Sequence, residues 1–246
     1  MNCTAIVLAA GQGKRMGTKV QKQFLNLGGK PVLWYALYAF ENSPVINDII
    51  LVTGADLVEY CQREIVEKYG FCKVRSVTAG GAERYHSVWK GLCAMGDKEN
   101  RIVFIHDGAR PFVDEAMIGR AYEEVSASGA CVIGMPVKDT IKIADENGYI
   151  ASTPKRSLVW QIQTPQVFDA ELIVSAYREV IEREQELLSQ GVQITDDAMV
   201  VENMLGTKIR LVEGSYENLK ITTPEDIPVA EAILERKNVE KRVDKK

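Results

Sequence analysis

The chain has 246 residues, 46% hydrophobic and 26% charged, values that suit one folded α/β domain and exclude disordered, collagen-like or low-complexity architecture. Thirty Lys and Arg stand against 34 Asp and Glu, a net charge of -4, so no global field recruits nucleic acid or an anionic membrane, and any polyanion must be met locally. The five cysteines, Cys3, Cys61, Cys72, Cys93 and Cys131, form no CxxC pair, and with only two histidines they read as reduced thiols and not as a disulfide framework or zinc site. The opening apolar run has no basic leader and ends in glycines after about ten residues, too short for a signal peptide or membrane span, so a cytoplasmic protein is expected.

Short β-branched runs alternate with amphipathic stretches, the pattern of βα units around a mostly parallel sheet. Strands are predicted at Thr4 to Ala9, Asp48 to Thr53, Lys73 to Thr78, Ile102 to His106 and Cys131 to Pro136. Between them, helices are predicted from Pro31 to Phe40, Asp56 to Tyr69, Glu83 to Met95 and Asp114 to Ala127. After Pro136 the rhythm breaks. Thr140 to Ala144 and Tyr149 to Thr153 flank AspGluAsnGly, which predicts a protruding β-hairpin with Asn147 and Gly148 at its tip. An isolated hairpin is marginal in water, so a second copy of the chain is its expected partner. Helical patterning returns from Asp169 to Leu188 and from Asp196 to Leu205, with Thr195 as N-cap and Gly206 as C-terminal cap. Strands at Lys208 to Val212 and Asn218 to Thr222 precede a last helix from Pro224 to about Lys237. Residues 238–246 read as a charged, frayed tail. No linker divides residues 1–237, so one Rossmann-like domain with an inserted arm at about 137–160 is expected.

AlaAlaGlyGlnGlyLysArgMetGly at 9–17 directly follows the first strand, and a glycine-rich turn there lets backbone N–H groups approach phosphate. The dinucleotide fingerprint GxGxxG fails at Met16, and no acidic residue ends the second strand to hold a ribose. A Walker loop fails in every register. What remains is a glycine loop carrying Lys14 and Arg15, with Lys19 and Lys22 close behind, suited to several phosphates.

That loop, with LysGlnPheLeu at 22–25 and GlyLysProVal at 29–32, resembles the signature of sugar-nucleotide-type nucleotidylyltransferases. Six later segments narrow the resemblance: GlyGlyAlaGluArgTyrHisSerVal at 80–88, HisAspGlyAlaArgProPhe at 106–112, ProValLysAspThrIleLys at 136–142, GlnThrProGlnValPhe at 163–168, ThrAspAspAla at 195–198 and GluAsnLeuLysIleThrThrProGluAsp at 217–226. In order and over most of the chain, they are similar to the family of 2-C-methyl-D-erythritol 4-phosphate cytidylyltransferases of non-mevalonate isoprenoid biosynthesis.

The resemblance implies transfer of CMP from CTP to a sugar-alcohol phosphate with release of pyrophosphate, assisted by Mg²⁺ or another divalent cation. Such chemistry needs positioning and positive charge more than a protein base, because a phosphate dianion already carries its nucleophilic oxygen. Arg15, Lys22 and Lys220 match the family's catalytic cations. Ala10, Gly11, Gly13, Gly81, Ala82 and Ser87 match its cytidine and phosphate contacts. Asp107, ending an apolar strand, matches a position at the metal and triphosphate, directly or through water; its lesser alternative is a helix cap for the segment after Pro111. Ser87 alone reads equally as bonded to its own helix backbone. Arg110, Thr140, Arg156 and Thr195 match contacts to the sugar phosphate, with Thr140 and Arg156 on the arm that, in this family, completes the other subunit of a homodimer. Asp226 reads as an ordinary helix start, and His86 and His106 as structural.

Two departures stand out: Gly108 where many relatives have alanine, and Gln21 where a proline is expected before Lys22, which predicts a more mobile loop. A ribitol 5-phosphate cytidylyltransferase is the nearest rival. ProValLysAspThrIleLys and ArgSerLeuValTrpGlnIleGlnThrProGln favour methylerythritol phosphate. A noncatalytic nucleotide-binding regulator is a third reading, and an NAD-dependent oxidoreductase fails on Met16.

Overall fold

The computed structural model describes residues 1–11, 20–96, 98–99 and 101–243, with the backbone alone for 240–243. Strand β1 (Asn2–Ala9) is apolar through most of its length because helices cover both faces of the sheet, and it pairs in parallel with β4 (Asp48–Thr53) and β6 (Arg101–Asp107). Beyond them come β5 (Val74–Ala79), β7 (Ala130–Pro136), β10 (Trp160–Asp169) and β11 (Arg210–Glu213), giving the order β11-β7-β10-β6-β1-β4-β5, while β2 (Asn26–Leu27) and β3 (Lys30–Pro31) form a separate small ladder. In this sheet β10 alone runs antiparallel to its neighbours. A doubly wound, mostly parallel sheet is thus present as expected.

Each face has its own core. On one, α1 (Val32–Asn42) and α4 (Glu115–Ser128) press Leu33, Leu37, Phe40, Met117 and Ile118 against the sheet. On the other, α3 (Arg84–Ala94), α5 (Ala170–Glu182) and α7 (Asp197–Leu205) contribute Val88, Leu92, Ile173, Tyr177 and Val200. A third cluster, Leu27, Val32, Phe112, Ile221 and Ala230, seats the final helix α8 (Asp226–Val243). Among the described residues no helix is long and apolar enough to cross a membrane.

The structure corrects the predicted elements in several places. Strand β10 was not expected, because Gln161, Gln163, Thr164 and Gln166 interrupt its apolar pattern. The fold buries the last three and supplies them with hydrogen bonds, while Pro165 falls within a shift of register between Ile162 and Gln166. The segment predicted as a strand at Asn218 to Thr222 is irregular and tied down by single bonds, Ile221 N–H donating to the Ala109 carbonyl at 2.9 Å. The stretch from Asp56 to Tyr69 is a composite: a 3₁₀ turn at Ala55–Leu57, α2 (Val58–Tyr60) and a π-helical segment at Cys61–Glu67. Arg183, at φ -105° and ψ 14°, divides the helix expected to reach Leu188 into α5 and α6 (Glu184–Ser189). Asp196, not Thr195, caps α7, its Oδ1 accepting the Met199 N–H at 2.9 Å; Gly206 ends that helix in the left-handed region, as expected. The last helix continues through Val243, into the segment expected to fray. The hairpin exists but its ladder is shorter than predicted, β8 (Ile143–Ala144) against β9 (Ile150–Ser152), with Gly148 at φ +83° and Asp145 Oδ1 accepting the Asn147 and Tyr149 N–H groups.

Candidate active site

Parallel strands that end at the same edge leave a crevice there, and the loops after β1, β5 and β6 surround it. The result is a cavity of about 600 Å³ lined by Ala10, Gly11, Lys22, Gln23, Gly81, Ala82, Glu83, Arg84, Ser87, Asp107, Ala109 and Lys220, among others. Its size suits a nucleotide-scale ligand.

One wall is backbone. Ser87 donates its hydroxyl to the Glu83 carbonyl at 3.2 Å and accepts the Gly81 N–H at 3.1 Å, so it bonds its own helix and also holds the loop. Gly81 has no space for a larger residue, since a Cβ there would lie 2.3 Å from His86 Cβ. The opposite loop is tied by a residue absent from the sequence-based candidates: buried Gln23 donates its amide to the carbonyls of Ala9 at 2.6 Å and Gly11 at 3.2 Å. Just before it, Gln21 holds φ -65° and ψ 141°, backbone values a proline would also adopt. Gly108 packs tightly, with an added Cβ 2.8 Å from Leu33 Cδ1, which accounts for the small residue at this position.

The other wall is charged. Asp107, at the end of β6, receives Lys220 Nζ at 2.7 Å on Oδ2 and Arg84 Nε at 3.3 Å on Oδ1. Burial pushes this carboxyl towards the neutral form, but the charges of Arg84 and Lys220, the Lys220 hydrogen bond and the charge of Arg110 outweigh it, so Asp107 ionises far below the usual carboxylate range. The helix-cap reading of Asp107 fails: the following helix α4 is capped by Asp114, whose Oδ1 accepts the Met117 N–H at 2.9 Å.

Behind Asp107 lies a buried polar relay. Asp107 N–H donates to Thr164 Oγ1 at 3.1 Å, which leaves the Thr164 hydroxyl to donate to His106 Nδ1 at 3.0 Å and His106 Nε2–H to donate to the Arg110 carbonyl at 3.1 Å. Burial brings the His106 imidazole down to about 4, with the backbone bond to Arg110 opposing, so the ring is neutral at pH 7. His106 is structural, as is His86, which accepts the Glu83 N–H on Nδ1 and meets Glu184 through Nε2 at 2.7 Å. Asp226 accepts the Thr222 and Thr223 N–H groups and organises the start of α8.

The fold therefore assembles Ala10, Gly11, Lys22, Gly81, Ala82, Ser87, Asp107 and Lys220 from five separated places in the sequence into one pocket. Gly13 and Arg15 lie outside the described residues. Arg110 is half-buried, stands outside that lining and donates from Nη1 to the Asn218 carbonyl at 2.7 Å. Thr140, Arg156 and Thr195 are exposed and stand outside that lining, Arg156 on the arm with its Nη1 3.4 Å from the Lys138 carbonyl. Arg84 was missed, although it sits inside the GlyGlyAlaGluArgTyr segment. Among the described residues no group of three or more His, Cys, Asp or Glu side chains forms a ready-made metal cage.

Residues 3–236 match the family model of 2-C-methyl-D-erythritol 4-phosphate cytidylyltransferase, IspD. The chain belongs to that family. It is 46% identical over 236 residues to the protein of that name from Caldanaerobacter subterraneus subsp. tengcongensis, covering 96% of this chain and all of the relative. With the namesake from Lachnoclostridium phytofermentans it shares 49% over 231 residues, covering 94% and 95%. Among solved structures it resembles 4-diphosphocytidyl-2C-methyl-D-erythritol synthase from Anaerococcus prevotii, with a TM-score of 0.80, 35% identity and coverage of 95% and 96%. Family membership makes the protein a nucleotidyltransferase of the cytidylyltransferase class and places the fold among the IspD structures.

Proposed function

We propose that the pocket binds CTP and transfers CMP to 2-C-methyl-D-erythritol 4-phosphate. The observation that carries this reading is the Asp107–Lys220 pair, 2.7 Å apart, in the same cavity as Lys22 and the two backbone loops. The loops at Ala10, Gly11, Gly81 and Ala82 suit a flat pyrimidine and its ribose, held through backbone polar groups. Lys22, Arg15 and Lys220 supply positive charge to the triphosphate.

In the reaction an oxygen of the acceptor phosphate attacks the α-phosphorus in line. A new P–O bond forms, the bond from the α-phosphorus to the α,β-bridging oxygen breaks, and pyrophosphate leaves with that electron pair. Lys220 is matched to the charge growing on the nonbridging α-oxygens, and Lys22 with Arg15 to the charge on the leaving group. No protein base is required, which agrees with a pocket whose lining lacks histidine.

A divalent cation fits this site as a phosphate-bound ion with one protein carboxylate. Mg²⁺ retains several waters and takes one or two carboxylates beside substrate phosphates, and Asp107 is a fully ionised carboxylate in the pocket. Asp107 would hold it, directly or through water, and the ion would neutralise triphosphate charge. The exposed arm residues Thr140 and Arg156 are assigned to the sugar phosphate of the partner subunit's site in a homodimer, with Arg110 and Thr195 contributing from the same chain as the pocket. Pyrophosphate release from CTP, UTP and ATP, each with methylerythritol phosphate or ribitol 5-phosphate, tests this function. Release confined to CTP with methylerythritol phosphate is expected, whereas release only with ribitol 5-phosphate overturns the choice of acceptor.

A further inference from the structure

Arg84 is not held by the pocket alone. Its Nη1 and Nη2 donate to Oδ1 and Oδ2 of Asp197 at 2.8 and 2.7 Å, a bidentate pair with a completely buried carboxylate. Asp197 Oδ1 also accepts the hydroxyl of Tyr177 at 2.5 Å, and Tyr177 is itself completely buried. The carboxylate is carried on a fixed mount: the N–H groups of Asp197 and Ala198 both donate to Gln166 Oε1 at 2.9 Å, while Gln166 Nε2 donates to Asp196 Oδ2 at 3.0 Å. The first turn of α7 is thereby joined to strand β10.

A carboxylate at this depth is costly unless fully paired, and a helix start needs only one capping aspartate, which Asp196 already provides. Capping alone therefore does not explain the second aspartate of ThrAspAspAla. Its geometric effect is on Arg84. With both terminal nitrogens committed to Asp197, the guanidinium reaches Asp107 only through Nε and only on Oδ1, at 3.3 Å, and Oδ2 is left for Lys220 at 2.7 Å. Released from Asp197, the same guanidinium could turn its two-pronged edge to Asp107 and take both oxygens, a geometry Arg and carboxylates favour.

We infer that Asp197, steadied by Tyr177, is a positioning residue that acts through Arg84 to divide Asp107 between Arg84 and Lys220, and so keeps Lys220 aimed into the pocket. The inference rests on the catalytic reading of Lys220 given above. It weighs on turnover more than on binding: the loops at Ala10, Gly11 and Gly81 proposed for the base and ribose make no contact with Asp197, so the larger defect falls on the chemical step.

The test is steady-state kinetics on Asp197→Asn, Arg84→Met and the double variant, with thermal melting as a check on folding. Asp197→Asn keeps the shape but replaces one acceptor by a donor. The expected result is a fall in kcat of about tenfold or more with KM for CTP within about threefold, and less than about threefold further loss when Asp197→Asn is added to Arg84→Met. A folded Asp197→Asn with wild-type kcat, or full multiplicative losses in the double variant, overturns the role. Should Asp197→Asn fail to fold, Tyr177→Phe removes one hydrogen bond: a kcat reduced about threefold at unchanged KM supports the inference, and unchanged turnover overturns it. Failure at Asp197 and Tyr177 with Lys220→Ala still inactive defeats the positioning role alone, whereas wild-type turnover in Lys220→Ala defeats the reading of the pocket beneath it.

Discussion

At the pocket, Asp107 is buried and both of its oxygens meet cations, while on the hairpin Tyr149 is 74% exposed, Ile150 65% and nearby Leu158 75%. The pocket is anchored to the central strands β1 and β6, whereas the arm is held by a short two-stranded ladder and its own turn. An exposed apolar surface on so slight an element is stable only if something covers it. The contrast separates two tasks. The nucleotide proposed for the pocket would need a preorganised cationic corner, and the groups for one stand together within a single chain. The acceptor contacts assigned to Thr140 and Arg156 stand on the part of the chain that a second copy would order.

The largest effects are expected at the corner. Lys220→Ala or Lys22→Ala should lower kcat by at least about 10²-fold, as loss of a transition-state charge partner does. Circular dichroism would establish that either variant is folded, and near-normal turnover would remove that lysine from the chemistry. On the arm, Arg156→Ala should cut kcat/KM for the sugar phosphate by about tenfold while leaving KM for CTP unchanged, with stability altered by no more than about 0.5 kcal/mol because the side chain is exposed. A rise in KM for CTP would show that arm and pocket are not separate. Leu158→Glu places a charge on the arm's apolar face and should weaken self-association, read as a lower sedimentation mass at micromolar concentration; a monomeric wild type would remove the dimer altogether.

The effect expected behind the pocket falls on stability and not on turnover. His106 binds its proton at about 4 in the folded chain against 6.5 when unperturbed, so between these values the unfolded chain holds more protons and stability rises with pH. It is present above pH 6.5 and is lost as the pH falls towards 4, on the order of 3 kcal/mol in all. Denaturant unfolding of His106→Gln should therefore have a shallower slope across this window than the parent chain. An equal slope would assign the acid sensitivity to other groups.

How much was legible in the sequence follows the same division. Residues whose role is written locally were readable: the apolar strands, Gly206 as a C-terminal cap, and the loops at Ala10 and Gly81. Strand β10 was hidden because Gln163, Thr164 and Gln166 are buried through partners that fold in from far along the chain, Gln166 with Asp196 and Gln163 with the Ser215 carbonyl. Lys220 was matched through the family resemblance and expected on a strand at Asn218 to Thr222, yet it sits in an irregular segment; its place in the pocket comes from the Ile221–Ala109 bond and the pairing with Asp107. Arg84 and Asp197 escaped because their pairing spans 113 positions, and neither residue type at its position signals a partner. A doubled aspartate, where one suffices as a cap, was the available clue.

The most direct test of a pocket completed by the partner's arm is mixing two impaired variants, Lys220→Ala and Arg156→Ala, at a sugar phosphate concentration well below KM and under conditions that allow subunits to exchange. Each hybrid dimer would carry one site with both defects and one site with neither, so random exchange should restore about a quarter of the parent activity. Activity in the exchanged mixture no higher than in the separate variants would contradict a site shared between two chains.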